Sequence, residues 1–287
     1  SKNNSGKEIV KLFAEPTNFF SGLQGLYKKG VIDILPDSLY KIEILVGDAS
    51  NNVSKLNFDI QGINQPIKSE VFNQNIGEVI FLSCMMENNV INDTFILQIP
   101  KYSLYDNLYF KHSISLSKTY YSSIIKLHNP KTPLHQKAKL KIKASNLPVK
   151  YRNKALLATF DSDKKVIAVG GDWKDDVVIG NISSFGDYFI TVDTIAPEIT
   201  PINIQQGANL SDSPAIKAVV KDDFSGIGKI DGYIDGNWVV FDYDKKNNLI
   251  QYKFDKVRLT KGISHILEIV VKDIKGNASH LKCDFTW

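Results

Sequence analysis

The sequence predicts an all-β protein made of tandem β-sandwich modules, the first and last of them immunoglobulin-like. Three observations carry that expectation. Short runs rich in β-branched and aromatic residues (KIEILV, TFILQI, KLKIKA, VIAVG, YFITV, WVVFDY, ILEIVV) recur along the chain, punctuated by Gly, Asn, Asp and Pro. Long stripes of 3.6-residue period are absent, so successive strands must join through turns, and the sheets should be antiparallel. A length of 287 residues also exceeds what one small core usually serves, so several cores are expected.

The last module is the most legible. DTIAPEITP at 193–201 carries two prolines around a β-prone stretch, which reads as an extended hinge and a module boundary. Beyond it DDFSGIGKI, GYIDGNWVVFDYD, NNLIQYKF and a closing hairpin make about seven short strands, the immunoglobulin-like number. Asp235-Gly236 is a strong two-residue hairpin signal. The module therefore spans 193–287, preceded by a middle β module at 63–192 whose topology the sequence leaves open.

An internal repeat ties the ends together. The stretch from Tyr40 aligns without gaps on the stretch from His265, placing Ile42 on Leu267, Ile44 on Ile269 and Val46 on Val271. That alternating set marks one face of a strand, the core face. Asp48 falls on Asp273, Asn52 on Asn277 and Ser54 on Ser279, so the turn repeats with the strands. Asp accepting backbone N–H bonds explains such a turn. A calcium loop is weighed and set aside, since alternating carboxylates and a distal Glu are missing.

Composition excludes several classes of function. The net charge of +4 comes without a dense basic block, which speaks against nucleic-acid binding. The longest apolar run, VIFLSCMM at 79–86, is far shorter than the roughly 20 residues of a membrane-spanning helix. Cys84 and Cys283 cannot form a disulfide framework and read as buried thiols.

No motif of a zinc peptidase, α/β-hydrolase, phosphate loop or dinucleotide fold occurs, so no catalytic residue and no metal site are assigned. His280 and Asp284 share a strand face, but their repeat counterparts are Lys55 and Asp59, which makes that face a solvated one. The pairs Asp222-Asp223, Asp175-Asp176 and Asp161 with Asp163 lie in predicted turns, where carboxylates are usually solvated. Tyr233, Trp238 and Tyr243 are the candidate binding residues, an aromatic platform for a sugar or peptide. The competing reading of Trp238 is a tryptophan of the sandwich core.

The order of motifs carries a resemblance. EPTN, YKKGVIDI and YKIEILVGDASNN are followed by LYDNLYF, NPKTPLH, FGDYFITVDTIAPEITPIN, DDFSGI and HILEIVVKDIKGNAS. Together they resemble the long C-terminal, non-catalytic region of secreted lysostaphin-type (LytM) zinc metallopeptidases of Gram-negative bacteria, over essentially the whole chain. The resemblance implies an exported protein of the periplasm or cell surface. Its partners would be an upstream peptidase domain and peptidoglycan or an envelope protein. Zinc is implied only for that peptidase domain, whose His-x3-Asp and His-x-His motifs have no match here, so no cofactor is expected in this chain. It also implies that residues 1–62 are the later part of an immunoglobulin-like domain whose first strands lie upstream. The function expected is an accessory one, positioning the peptidase or binding wall or partner, with a stand-alone adhesin-like or glycan-binding module as the alternative.

Overall fold

The computed structural model describes residue 32, residues 34–63 and residues 79–287. The chain divides into two compact units, Glu8–Glu78 and one in which Val79–Trp287 is described. The fold is all-β: among the described residues the helical element is a single 3-10 turn, Val149–Lys154. No helix among them is long and apolar enough to cross a membrane, a statement that does not bear on strands.

In the first unit the described residues form one antiparallel hairpin, Leu39–Gly47 with Val53–Gln61. The motifs EPTN and most of YKKGVIDI lie outside the described residues. The hairpin pairs Leu39 with Gln61 and Gly47 with Val53, while the last hairpin of the chain pairs Ser264 with Thr286 and Lys272 with Ala278. Each pair in the first copy maps onto a pair in the second, so the repeat read from sequence is a repeat of register. The turn repeats too: Asp48 Oδ1 accepts the N–H of Asn52 at 2.9 Å, and Asp273 Oδ1 accepts that of Asn277 at 2.8 Å.

The second unit holds two sandwiches with separate cores. In the middle one, a sheet ordered Val166–Gly170, Ala155–Phe160, Gly186–Val192, Ile124–Leu127 and His112–Ser115 faces another. The facing sheet is ordered Asp172–Lys174, Val177–Ser184, Pro133–Lys143, Phe95–Ile99 and Asn88–Ile91. Alternation supplies the core: Phe95, Leu97 and Ile99 point inward along one strand, Ala138, Leu140 and Ile142 along its neighbour. Cys84, expected as a buried thiol, is half-exposed at the rim, whereas Cys283 is buried in the other core.

In the last sandwich a four-stranded sheet of Glu198–Pro201, Ala215–Lys221, Leu249–Lys253 and Asp242–Asp244 faces a five-stranded one. That second sheet runs Ala208–Asn209, Ala278–Thr286, Ser264–Asp273, Ile227–Ile234 and Asn237–Val239. The strand count exceeds the expected seven partly because the first strand splits, Glu198–Pro201 joining one sheet and Ala208–Asn209 the other. Leu267, Ile269, Val271, Cys283 and Phe285 all enter its core, the faces the repeat predicted.

His128, at the end of Ile124–Leu127, contacts the rings of Phe110 and Phe185 at centroid distances of 5.9 and 5.6 Å. Burial, aided by the charge of Lys111, lowers its imidazole below the ordinary 6.5. The unfolded chain then binds more protons than the folded one as pH falls below about 6.5, so stability drops through that window and is unaffected above it. Urea unfolding followed at pH 7.5 and 5.5 should show this loss, and His128→Gln should shrink it; an unchanged pH slope in that variant would exclude His128 as its source.

Candidate functional site

The aromatic residues singled out from sequence do not form one group. Asp235 and Gly236 both adopt positive φ, 53° and 77°, the geometry of a two-residue hairpin turn. That turn sets Tyr233 opposite Trp238 and Gly232 opposite Val239. Ile234 and Val239 consequently face the core, while Tyr233 and Trp238 face out, Trp238 with 54% of its surface exposed. The core-tryptophan reading is therefore overturned, because a slip of one residue would be needed to bury the indole. Tyr243 is also corrected: it lies on Asp242–Asp244 in the opposite sheet and packs against the core. Burial raises its hydroxyl pKa.

The outward platform is thus Tyr233 and Trp238, with Glu268 opposite Tyr233 on the next strand and Lys282 opposite Glu268 on the strand beyond. The side chains of Lys282 and Glu268 approach to 3.7 Å. His280 and Asp284 are exposed on the same strand, as expected of a solvated face, and Asp284 is held by the amide of Gln206 at 2.8 Å. His265 is buried beneath the hairpin turn, its Nδ1 2.6 Å from Asp235 Oδ2. Burial alone would raise the Asp235 carboxyl, but the His265 and Ile266 contacts outweigh it and leave the carboxyl below its ordinary value.

A second constellation was not read from the sequence: the joint between the two sandwiches of the second unit. Lys275, in the last hairpin turn, extends a buried side chain whose Nζ donates to the carbonyl of Gly171 at 2.5 Å and reaches Asp172 at 3.1 Å. In return Lys154 Nζ donates to the carbonyl of Lys275 at 2.8 Å. Asn277 Nδ2 donates to the carbonyl of Asp193 at 3.0 Å, and Ser279 Oγ donates to that of Pro197. Phe224 packs against the cluster of Leu156, Ala158 and Phe189 in the middle sandwich. The proline-bracketed stretch after Asp193 is accordingly seated by these bonds and is no free hinge.

At this joint the carboxylates of Asp193, Asp222 and Asp273 converge, each offering an oxygen within 4.8 Å of the others. Asp193 and Asp273 are 2% and 3% exposed, and Asp222 is half-buried. The expectation of a solvated turn thus holds for Asp175 and Asp176 but fails for Asp222, which its own loop half-buries and bonds. Backbone groups hold all three acids: Ile195 and Ser225 donate to Asp193, Phe224 and Gly226 to Asp222, and Asn277 to Asp273. Among the described residues no Lys, Arg or His pairs with any of them. Two unit charges 4.8 Å apart repel by about 3.5 kcal/mol at an effective dielectric of roughly 20. The motifs DTIAP, DDFSGI and DIKGN each carried one acid, but nothing in their sequence spacing shows that the fold brings them together.

Residues 80–193, which make up the middle sandwich, match the family described as the Zu5-like domain. Among solved structures the chain is similar to one described as "Structures of Clostridium thermocellum CbhA fibronectin(III)-like modules", at 13% identity and a TM-score of 0.26. That likeness covers 52% of this chain and 84% of the other. No curated protein matches the chain.

Proposed function

We propose that this chain is a non-catalytic accessory region of an exported, cell-envelope peptidoglycan metallopeptidase, where it holds an upstream peptidase domain at a set place. The observation that carries the positioning role is the joint. Two sandwiches cross-linked by a buried lysine, a half-buried asparagine and a seated linker move as one body, which a spacer requires and a flexible tether does not. The order of motifs from YKIEILVGDASNN to HILEIVVKDIKGNAS supports the link to the metallopeptidase and to the periplasm or cell surface. Zinc belongs to the peptidase domain in this reading. Muropeptide release from purified sacculi by the chain alone is the test: none is expected with or without added zinc, and zinc-dependent release overturns the reading.

A second reading, a glycan-binding face, is favoured by the outward placement of Tyr233 and Trp238. Aromatic faces stack on the C–H face of a pyranose, and Glu268 and Lys282 stand alongside to bond hydroxyl or acetamido groups. Co-sedimentation with sacculi should then be retained by the wild-type chain and weakened about tenfold by Trp238→Ala, equivalent to roughly 1.4 kcal/mol of stacking. Equal sedimentation of the two proteins removes the platform from consideration.

A further inference from the structure

We propose that Asp193, Asp222, Asp273 and Ser225 form a Ca2+ site that clamps the two sandwiches of Val79–Trp287 together. The three acids come from three segments: the end of the middle sandwich, the loop after Ala215–Lys221, and the turn between Ser264–Asp273 and Ala278–Thr286. Asp193 joins the other two only because the sandwiches are docked. Oxygens bound to one Ca2+ at about 2.4 Å can be at most about 5 Å apart, and the carboxylate oxygens here lie within 4.8 Å of one another.

The hydrogen bonds that position the acids leave ligand capacity unused. Each carboxylate oxygen has about two lone-pair sites, and the bonds from Ile195, Ser225, Phe224, Gly226 and Asn277 occupy only part of them. The backbone therefore orients the carboxylates without neutralising them.

A separate observation points to a ligand. The hydroxyl oxygen of Ser225 is buried and has no hydrogen-bond partner among the described residues, which is a costly state for a polar atom. Its own N–H holds Asp193 at 3.1 Å, and its two chain neighbours hold Asp222, so the orphaned hydroxyl belongs to the loop whose backbone binds two of the three acids. A hard cation bound there supplies the missing partner and offsets three negative charges that no cationic side chain meets among the described residues.

The internal repeat shows that the turn itself does not demand this cluster. Asp48 and Asn52 make the same turn as Asp273 and Asn277, yet Asp48 stands exposed and joins no such group among the described residues. The added acids, Asp193 and Asp222, thus serve something beyond turn closure. An all-oxygen set without His or Cys selects a hard cation over zinc, and its irregular disposition suits Ca2+ better than Mg2+, which demands near-ideal octahedral geometry.

The experiment is calorimetric titration of the EGTA-treated chain with CaCl2, paired with thermal unfolding in EGTA and in CaCl2. One Ca2+ per chain is expected, with a Kd on the order of 0.1 to 1 mM, the range of extracellular modules, and MgCl2 should bind at least about tenfold more weakly. The unfolding temperature should rise by several degrees in about 10 mM CaCl2, since a ligand that binds only the folded state stabilises it. Asp222→Asn keeps the Oδ1 acceptor for Phe224 and Gly226, so it should fold, melt no lower than wild type in EGTA, and lose the calcium response. Ser225→Ala, which leaves all three acids in place, should weaken binding several-fold. Absence of heat and of a melting shift in the wild-type chain up to about 10 mM Ca2+ overturns the proposal, as does an undiminished response in Asp222→Asn.

Discussion

Ile269→Ala is expected to lower the stability of the last sandwich by about 3 to 4 kcal/mol, while Ile44→Ala, the same change at the repeat-equivalent position, should cost less than half as much. Ile269 is fully buried among Leu267, Val271, Val220 and their neighbours. Truncating it removes three carbons and leaves a cavity that rigid sheets on both sides cannot collapse to fill. Ile44 occupies the same place in the same register but remains half-exposed, so less apolar surface returns to water on truncation. Chemical denaturation of the two variants, followed by tryptophan fluorescence and by amide exchange in each hairpin, separates the effects. Equal losses would mean that the first hairpin is covered as fully as the second.

Lys275→Met should cost about 2 to 3 kcal/mol and loosen the joint. The substitution keeps most of the aliphatic stem and removes the ammonium, so the carbonyl of Gly171 loses its charged donor inside the interface. Asp172 is 91% exposed and contributes little to the change. The carbonyl belongs to a glycine that the fold requires: Gly171 has φ +102°, and a Cβ on it would meet the carbonyl of Ile179 at 2.5 Å. Proteolysis at 193–197 and amide exchange of Asn277 should both accelerate. A variant with wild-type stability and protection at those sites would show that Phe224 and Asn277 suffice to hold the sandwiches.

Much of the fold was legible because strand alternation and turn chemistry are local. Positions 265–286 could be matched to 40–61 residue by residue, and the matched faces became core faces in the second copy because a period of two permits no other arrangement of one buried side. The hairpin at Asp235-Gly236 was equally plain. Its register then decided that Trp238 faces outward, a consequence that residue type alone, which favours burial of tryptophan, does not reveal. Tyr243 stands five residues further along the chain, but the path crosses to the opposite sheet between them, so closeness in sequence did not become closeness in space.

By itself, then, the sequence determined the all-β class, the hairpin turn at Asp235-Gly236 and the core face of the closing hairpin. Those follow from neighbours one to ten residues apart, where backbone sterics and hydrogen-bonding turns act directly. Only the tertiary structure decided that Asp193, Asp222 and Asp273 share one buried corner, and that Lys275 reaches across to Gly171. Each of those residues looks like an ordinary turn or linker residue in its own segment. Their common role arises from docking two sandwiches whose separate cores carry no local record of which loops will meet.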